Sequence, residues 1–365
     1  MSPQENNIDI LEGYNREVYS DVVVGDTVIK KGVRDGKNRL KTLDSIIPDH
    51  ASVLDVGCHL GFFTTQLARK STRFVVGIES APDRANIAAK IAARDRMPNV
   101  AILNITLTND ILSRWANACE AFNTILFLNV LHHCPIYHIH KIINYASRLS
   151  PQIIIETPHV DENNAYGSRA KRRLINNIQI DGFYKYIAAE TESHTNPDLK
   201  RPMFVFSNPT WFKRTTRPHY LHATASVHKH SVVCYNDMFI HKHDTWKTGV
   251  NLGTMVGFNM IYPDRTMLIR MLQKTLDEHQ GSLRDVNLWN ILLTPDGLKL
   301  FDTNSLLEHK YTKRQALDHL IMQYDDIKAT GIKPLCPQNI KNRIKHKLSC
   351  LKSNLKTGKY HDRHG

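Results

Sequence analysis

The chain's sequence predicts an α/β protein: a doubly wound, mostly parallel sheet followed by a second, smaller α+β module. Three observations carry that reading. Apolar strand-like runs alternate with helical stretches from residue 51 to about 207, which implies a parallel sheet. Two of those runs end in a carboxylate, Asp55 and Glu79, and the first leads into a turn containing Gly57 and Gly61. Past about residue 215 the texture becomes histidine-rich and less periodic, which marks a second module over 215–335 and a basic tail over 336–365.

Residues 1–50 lead into the first domain, 51–214. Val22-Val23-Val24 and Thr27-Val28-Ile29 flank Gly25-Asp26, the chemistry of a hairpin turn, and a helix is expected from about Gly36 to Ile47. Residues 53–64 then read Val-Leu-Asp-Val-Gly-Cys-His-Leu-Gly-Phe-Phe-Thr. At such a strand-to-helix junction the glycines let the backbone approach a ligand closely. The first N–H groups of the helix are unpaired there, and Asp55 leaves the strand end towards them. A second strand over 73–79 ends in Glu79, 24 positions after Asp55, where an acid in a doubly wound sheet reaches ribose hydroxyls. Further strands are expected near 99–105, 122–129 and 151–157, with Tyr184 to Ala189 and Met203 to Phe206 as the last two.

The spacing Asp55-x-Gly57-x-x-x-Gly61 resembles the first motif of the class I S-adenosylmethionine (SAM) dependent methyltransferases. A dinucleotide site would instead have Gly-x-Gly-x-x-Gly, with the second glycine making room for a pyrophosphate. The run from Phe122 to His133, polar at Asn129, resembles that family's fourth strand, whose end lies beside the methyl donor. The resemblance implies a Rossmann-like seven-stranded methyltransferase sheet, SAM as cofactor, and cofactor contacts from Asp55, Gly57, Gly61, Glu79 and Asn129. Arg34 stands where an arginine of similar enzymes binds the SAM carboxylate; a solvated surface arginine is the alternative. Thr106 occupies the place where relatives often put an acid near the adenine. For a hydroxyl acceptor an imidazole is the natural proton recipient. By position, His133, then His132 and His159 with Asp161 behind them, are the candidates; packing against the adenine is the other role open to such a histidine.

Residues 283–302 place Asp285 five before Asn290 and Asp302 twelve beyond it, around the strand Ile291-Leu292-Leu293. This resembles the catalytic segment of protein-kinase-like and aminoglycoside-phosphotransferase-like enzymes. It implies that Asp285 accepts a hydroxyl proton while Asn290 and Asp302 hold Mg²⁺ against the phosphates of ATP. The pattern departs from the family at Leu283, which replaces the usual histidine, and at Asp302-Thr303-Asn304, which replaces Asp-Phe-Gly. About 70 residues precede this loop, no glycine-rich phosphate loop is visible, and Lys242 is the one plausible phosphate-binding lysine. Capping of turns is the structural alternative for the three polar residues.

Composition bounds the remaining options. A 41% hydrophobic share with 8% aromatics is that of an ordinary globular chain. No run approaches the roughly 18 to 20 apolar residues of a bilayer span, and the first residues lack a signal-peptide pattern, so a cytoplasmic protein is expected. Six scattered cysteines without a Cys-x-x-Cys pair fit reduced thiols and give no zinc framework. The formal charge is +13, and the last 25 residues hold eight basic groups against Asp362. Ile340, Ile344, Leu348, Leu351 and Leu355 recur at helical spacing, so 340–359 is expected to form an amphipathic helix. It suits an anionic membrane surface, docking on the parent domain, or nucleic-acid contact.

The pairing of the two modules is similar to bifunctional enzymes that cap bacterial surface polysaccharides by phosphorylation and methylation. O-methylation of a sugar, glycan or related small acceptor is therefore the leading expectation. RNA modification of the tRNA wobble type is the alternative, because the stretch from Leu131 to Thr157 also resembles wobble-uridine modifiers. A catalytically silent binding module with the cofactor fold is a third reading.

Overall fold

The structure, a computed structural model, describes residues 8–69, 73–117, 122–162, 168–193, 196, 198–211, 250–283, 286–288, 291–294, 297–300 and 310–330. The hairpin forms as β1 (Val22–Val24) and β2 (Thr27–Lys30), with Gly25 at φ 54° in its turn. Helix α1 (Gly36–Ile46) starts at Asp35, whose carboxylate accepts from the N–H groups of Lys37 and Asn38 at 2.9 and 3.1 Å. That cap satisfies two of the donors a helix start leaves unpaired.

The expected alternation follows as β3 (Ser52–Val56), α2 (Phe62–Arg69), β4 (Phe74–Glu79), α3 (Pro82–Arg94), β5 (Val100–Asn104), α4 (Asn109–Asn117), β6 (Thr124–Leu128), α5 (Ile136–Leu149) and β7 (Gln152–Glu156). Helix α6 (Arg169–Asn176) leads to a long antiparallel pair, β8 (Tyr184–Glu192) and β9 (Lys200–Ser207). The second half contributes β10 (Val250–Asn251), α7 (Leu252–Gly257), β11 (Met260–Tyr262), α8 (Arg265–Glu278), β12 (Ile291–Thr294), β13 (Gly297–Leu300) and α9 (Lys313–Thr330).

The main sheet has the order β11-β5-β4-β3-β6-β7-β9-β8. Strands β3 to β7 are mutually parallel, so their carboxyl ends share one edge; β11, β9 and β8 run antiparallel to their neighbours. The chain runs outward from β3 through β4 to β5 on one side, then crosses to β6 and β7 on the other. The crevice beyond the β3 and β6 ends is thus the switch point at which doubly wound sheets take ligands.

Every residue of β3, β4 and β6 is buried, as expected for a parallel sheet covered on both faces. On one face Leu54, Val76, Ile125 and Ile153 pack with Trp115, Ile139 and Ile142 of α4 and α5. The same cluster continues through Met255, Leu268 and Leu320 of α7, α8 and α9. On the other face Val53, Val75, Leu126 and Ile154 meet Leu43, Leu67 and Ala88 of α1, α2 and α3. The fold is a Rossmann-like sheet with helices on both faces.

All seven expected strands are present, and the sheet has one more than expected. An eighth strand, β11, comes from the second half and pairs with β5 through Met260 and Leu103, Tyr262 and Ile102. Three residues show no alternation, so periodicity could not reveal this strand. The second half forms a hairpin of β12, which contains the expected strand Ile291-Leu292-Leu293, and β13, extended by β10 into a three-stranded sheet. Lys242, Asp285, Asn290, Asp302 and the 336–365 tail lie outside the described residues. Among the described residues, no helix is long and apolar enough to cross a membrane.

Tyr262 fastens the added strand. Its ring is buried and its hydroxyl is shared between the carbonyls of Ala92 and Met97, at 3.0 and 2.8 Å, where α3 ends. Tyr262→Phe leaves those carbonyls without that donor and is expected to cost about 1–3 kcal/mol; Tyr262→Ala, which also opens a cavity, about 3–5 kcal/mol. Urea unfolding followed by circular dichroism reads both. Wild-type stability of the alanine variant would show that β11 adds nothing to the sheet.

Candidate active site

The turn after β3 lies against its neighbour strand, because the N–H groups of Gly57 and Cys58 both donate to Ile78 O, at 2.8 and 2.9 Å. Gly57 and Gly61 have φ of 73° and 82°, and a Cβ on either would come within 2.9 Å of Val130 or Ala88. Backbone angle and space both demand glycine at these two positions. His59, between them, is also left-handed at φ 55°, and its N–H donates to Glu79 Oε2 at 3.0 Å. The other Glu79 oxygen accepts from the Ala81 N–H at 2.9 Å, so this carboxylate bridges the turn and the start of α3.

Asp55 ends β3 alongside. Thr64 Oγ1 donates to its Oδ2 at 2.6 Å, and burial pushes its carboxyl up to about 6 against the opposing effects of Thr64 and Arg39, with Glu79 adding to the rise. Burial, then Arg84, push the His59 imidazole down to about 4. The two acids named by the sequence therefore stand close enough to feel each other at one edge of one turn.

Asn129, at the end of β6, has φ 58° and donates its own N–H to Glu156 O at 2.9 Å. Its side-chain amide donates to Glu156 Oε2 and accepts from Arg201 Nη1, the latter at 3.2 Å. Around it lies a buried ionic cluster that sequence reasoning missed. Glu156 receives Arg34 at 3.2 Å, Arg39, and Thr191 Oγ1 at 2.6 Å. Glu162, fully buried, receives Nε and Nη2 of Arg201. Burial alone would raise the Glu156 carboxyl, yet Arg39, Arg34 and the Thr191 hydrogen bond hold it below the usual carboxylate range. Tyr19 closes the cluster, its hydroxyl receiving Arg34 Nη1 at 2.6 Å and Arg201 Nη1 at 3.1 Å. Of its members the sequence singled out Arg34, with Asn129 beside it; Arg39 sits on the apolar face of α1 beside Leu40 and Leu43, where a charge gives no pattern.

Arg34 is not the solvated surface arginine that was the alternative reading. It is 5% exposed, and its donors already serve Tyr19, Glu156, Thr191 and the Glu192 carbonyl. A cofactor carboxylate would have to displace one of these partners.

The histidines separate by environment. His132 and His133 occupy a short 3-10 turn, Leu131–His133, and their rings lie 4.1 Å apart. His132 is buried, and burial, followed by His133, Arg201 and Lys171, pushes it down to about 3. His133 is exposed; partial desolvation, then Lys171 and Arg84, lower it, with Glu79 opposing. Both imidazoles are therefore neutral near pH 7. His159 Nδ1 accepts the Asp161 N–H at 3.1 Å within its own turn, and Asp161 pairs with Arg169.

Asp55 yields a stability prediction with a definite sign. Its carboxyl titrates near 6 in the folded chain and near 3.8 when unfolded, so between these values the folded state holds more protons. Stability should fall as pH rises from about 4 to about 6, by on the order of 3 kcal/mol in all. Asp55→Asn is expected to exceed wild type in stability at pH 7.5, with the difference closing by pH 4. Thermal melts at both pH values check this, and a difference independent of pH would remove the assignment.

Residues 53–151 match the family model described as a methyltransferase domain. Curated Escherichia coli proteins described as the O-antigen chain terminator bifunctional methyltransferase/kinase WbdD are 26% identical over 163 residues, which is 43% of this chain and 22% of theirs. The matched stretch thus spans about a fifth of the length of those relatives. Among solved structures, a crystal structure of WbdD is 19% identical with a TM-score of 0.45, covering 82% of this chain and 81% of that one. The N-terminal domain of EvdMO1 with SAH bound is 16% identical with a TM-score of 0.43, covering 57% and 98%. The stretch that matches the methyltransferase-domain model carries Asp55, Gly57, Gly61, Glu79 and Asn129.

Proposed function

We propose that this domain is an active SAM-dependent methyltransferase that O-methylates a sugar, glycan or related small acceptor. The observation that carries the reading is the coincidence of the family match with the Gly57–Gly61 turn, where two acids from adjacent parallel strands meet. The residues present suit the cofactor: a Cβ would fill the cradle at either glycine, Glu79 is placed for a ribose, and Asp55 offers a carboxylate to positive charge. SAM, when bound, supplies a methyl group on an already activated sulfonium. What remains for the chain is to align the acceptor oxygen, exclude water and take one proton.

His133 is the base we favour. It is neutral, exposed beside the β6 end, and flanked by Lys171 and Arg84, whose charges oppose its protonation. His132 is sealed in the protein, and His159 is engaged in its own turn. The cations near His133 suit a glycan acceptor that carries negative charge. The likeness to a methyltransferase/kinase that terminates O-antigen chains supports a glycan over RNA. In the second half, the β12–β13 hairpin is consistent with a kinase-like remnant, and Asp285, Asn290 and Asp302 are its proposed ATP and Mg²⁺ residues. The basic 340–359 segment is proposed to contact an anionic membrane, which would make the protein membrane-peripheral.

Calorimetric titration of SAM into wild type and Asp55→Ala, followed by methyl incorporation into lipid-linked glycan or RNA fractions of a cell extract, tests the reading. We expect Asp55→Ala to weaken binding at least about tenfold, as loss of a buried charge-assisted contact should. Label should enter the glycan fraction, and His133→Gln should lower kcat about 10²-fold or more while leaving SAM affinity intact. A positive ligand beside Asp55 favours its ionised form. SAM binding at pH 6 should therefore release a proton, seen as a binding heat that depends on the buffer. Absence of SAM binding by the folded wild type defeats the proposal, and label in RNA with steeply salt-dependent binding redirects it.

A further inference from the structure

We propose that Lys171 is a positioning residue for methyl transfer: from α6 it clamps the turn that carries His133 and keeps that imidazole free to accept a proton. The inference deepens the reading of His133 as the base and rests on it. Lys171 Nζ donates to the His132 carbonyl at 3.1 Å, within the Leu131–His133 turn. The same peptide unit is held from its other end, where the His133 N–H donates to Val130 O at 3.0 Å. That unit joins the two histidines, whose rings lie 4.1 Å apart, so its tilt sets the direction of the His133 side chain.

The helix that presents Lys171 is itself anchored. Ser168 Oγ accepts the Lys171 N–H at 3.2 Å at the start of α6, Arg172 Nε donates to Val160 O at 3.1 Å, and Asn176 Nδ2 donates to Pro158 O at 3.2 Å. Side chains of one helix therefore tie the connection after β6 to the connection after β7. Lys171 is half-buried on this brace and forms no ion pair among the described residues. The charged and titratable groups around His133 are Lys171 of α6, Arg84 of α3, Glu79 of β4 and His132 of its own turn. Burial is the first cause that lowers His133 and Lys171 the second, ahead of Arg84, with Glu79 opposing. Cys134, the next residue, stays a thiol because burial outweighs Lys171. An acid at position 171 would do the reverse, pairing with the protonated imidazole and withdrawing the base at neutral pH.

Two measurements on the full chain, with wild type, Lys171→Met, Lys171→Gln and Lys171→Arg, read the two parts of the role. The first is the His133 midpoint in an NMR titration, assigned with His133→Gln, which needs neither cofactor nor acceptor. The second is the pH profile of kcat/KM for methyl incorporation into the glycan fraction, whose acid limb reports the base of the free enzyme. Removing the cation favours the protonated imidazole, so Lys171→Met and Lys171→Gln are expected to move midpoint and acid limb together to higher pH. At about pH 8, where an imidazole is neutral with or without the cation, Lys171→Met should still lose at least about tenfold in kcat because the clamp is gone. Lys171→Gln keeps a donor for the His132 carbonyl and is expected to lose less there; it decides the matter should Lys171→Met not fold. Lys171→Arg, with donor and charge, should return both readouts to near wild type. A midpoint and an acid limb unchanged in the folded methionine and glutamine variants overturn the proposal. A midpoint that moves while the acid limb stays removes His133 as the base, and absence of methyl transfer by wild type defeats the functional reading. In either case the titration still judges the hold of Lys171 on the imidazole.

Discussion

Glu156 and Glu162 hold three guanidinium groups over the carboxyl ends of β6 and β7 and the amino end of β9, and this buried charge cluster constrains everything around the site. A charge taken from water costs several kcal/mol after relaxation, and one left without its partner costs about 3–5 kcal/mol. Arg34, Arg39, Arg201 and both glutamates are nine-tenths or more buried, so the arrangement persists only while all members are in place. Those members are far apart in sequence: Arg39 and Glu156 are separated by 117 positions and Tyr19 and Arg201 by 182. The cluster therefore ties the segment before the first sheet strand to the last strands of the sheet. It makes the segment that carries Tyr19, Arg34 and Arg39 a wall of the site, not a preface to it.

With that wall fixed, the turn after β3 has one conformation open to it. Val130 and Ala88 crowd Gly57 and Gly61 from two sides, and Ile78 receives two N–H groups of the turn, so the backbone cannot relax outward. His59 is held in the left-handed region, which for a residue with a side chain costs of the order of 1 kcal/mol and persists where the surroundings determine it. The hydrogen bond from its N–H to Glu79 is part of what determines it. Glu79 is thus both a designed end to β4 and a clasp on the turn. A ligand hydroxyl arriving there competes with, or adds to, a bond the protein already makes.

The parts of this architecture that were legible in the sequence share one property: each is encoded within a short stretch. Five parallel strands, their acids and the glycine turn follow from runs of five or six apolar residues and from φ values that glycine permits. Asp55, Gly57, Gly61, Glu79 and Asn129 fall at one edge for that reason. The features that were not legible depend on distant chain segments meeting. Arg39 looks like a misplaced charge on an apolar helix face until Glu156 and Phe63 are beside it. Arg34 looks solvent-exposed until Tyr19, Thr191 and Glu192 surround it. The pairing of His132 and His133 required a 3-10 turn where the apolar run suggested a continuing strand, and β11 is too short to carry a period of two.

The place of β11 bears on how the two halves of the chain relate. Asn104, the last residue of β5, donates its side-chain amide to the carbonyls of Glu79 and Ser80 at 3.0 and 3.3 Å. It also exchanges hydrogen bonds with Asn259, through Asn104 N to Asn259 O at 3.3 Å and Asn259 Nδ2 to Asn104 O at 3.1 Å. Lys328 of α9 in turn donates to Met260 O at 2.9 Å. The strand end that presents Glu79 is therefore continuous, bond by bond, with a helix of the second half, and the larger core cluster runs unbroken across the same boundary. Two modules joined only by a linker would show a polar seam here. A shared sheet edge and a shared core mean instead that displacing α9 or β11 must disturb Asn104, and with it the strand end that presents Glu79.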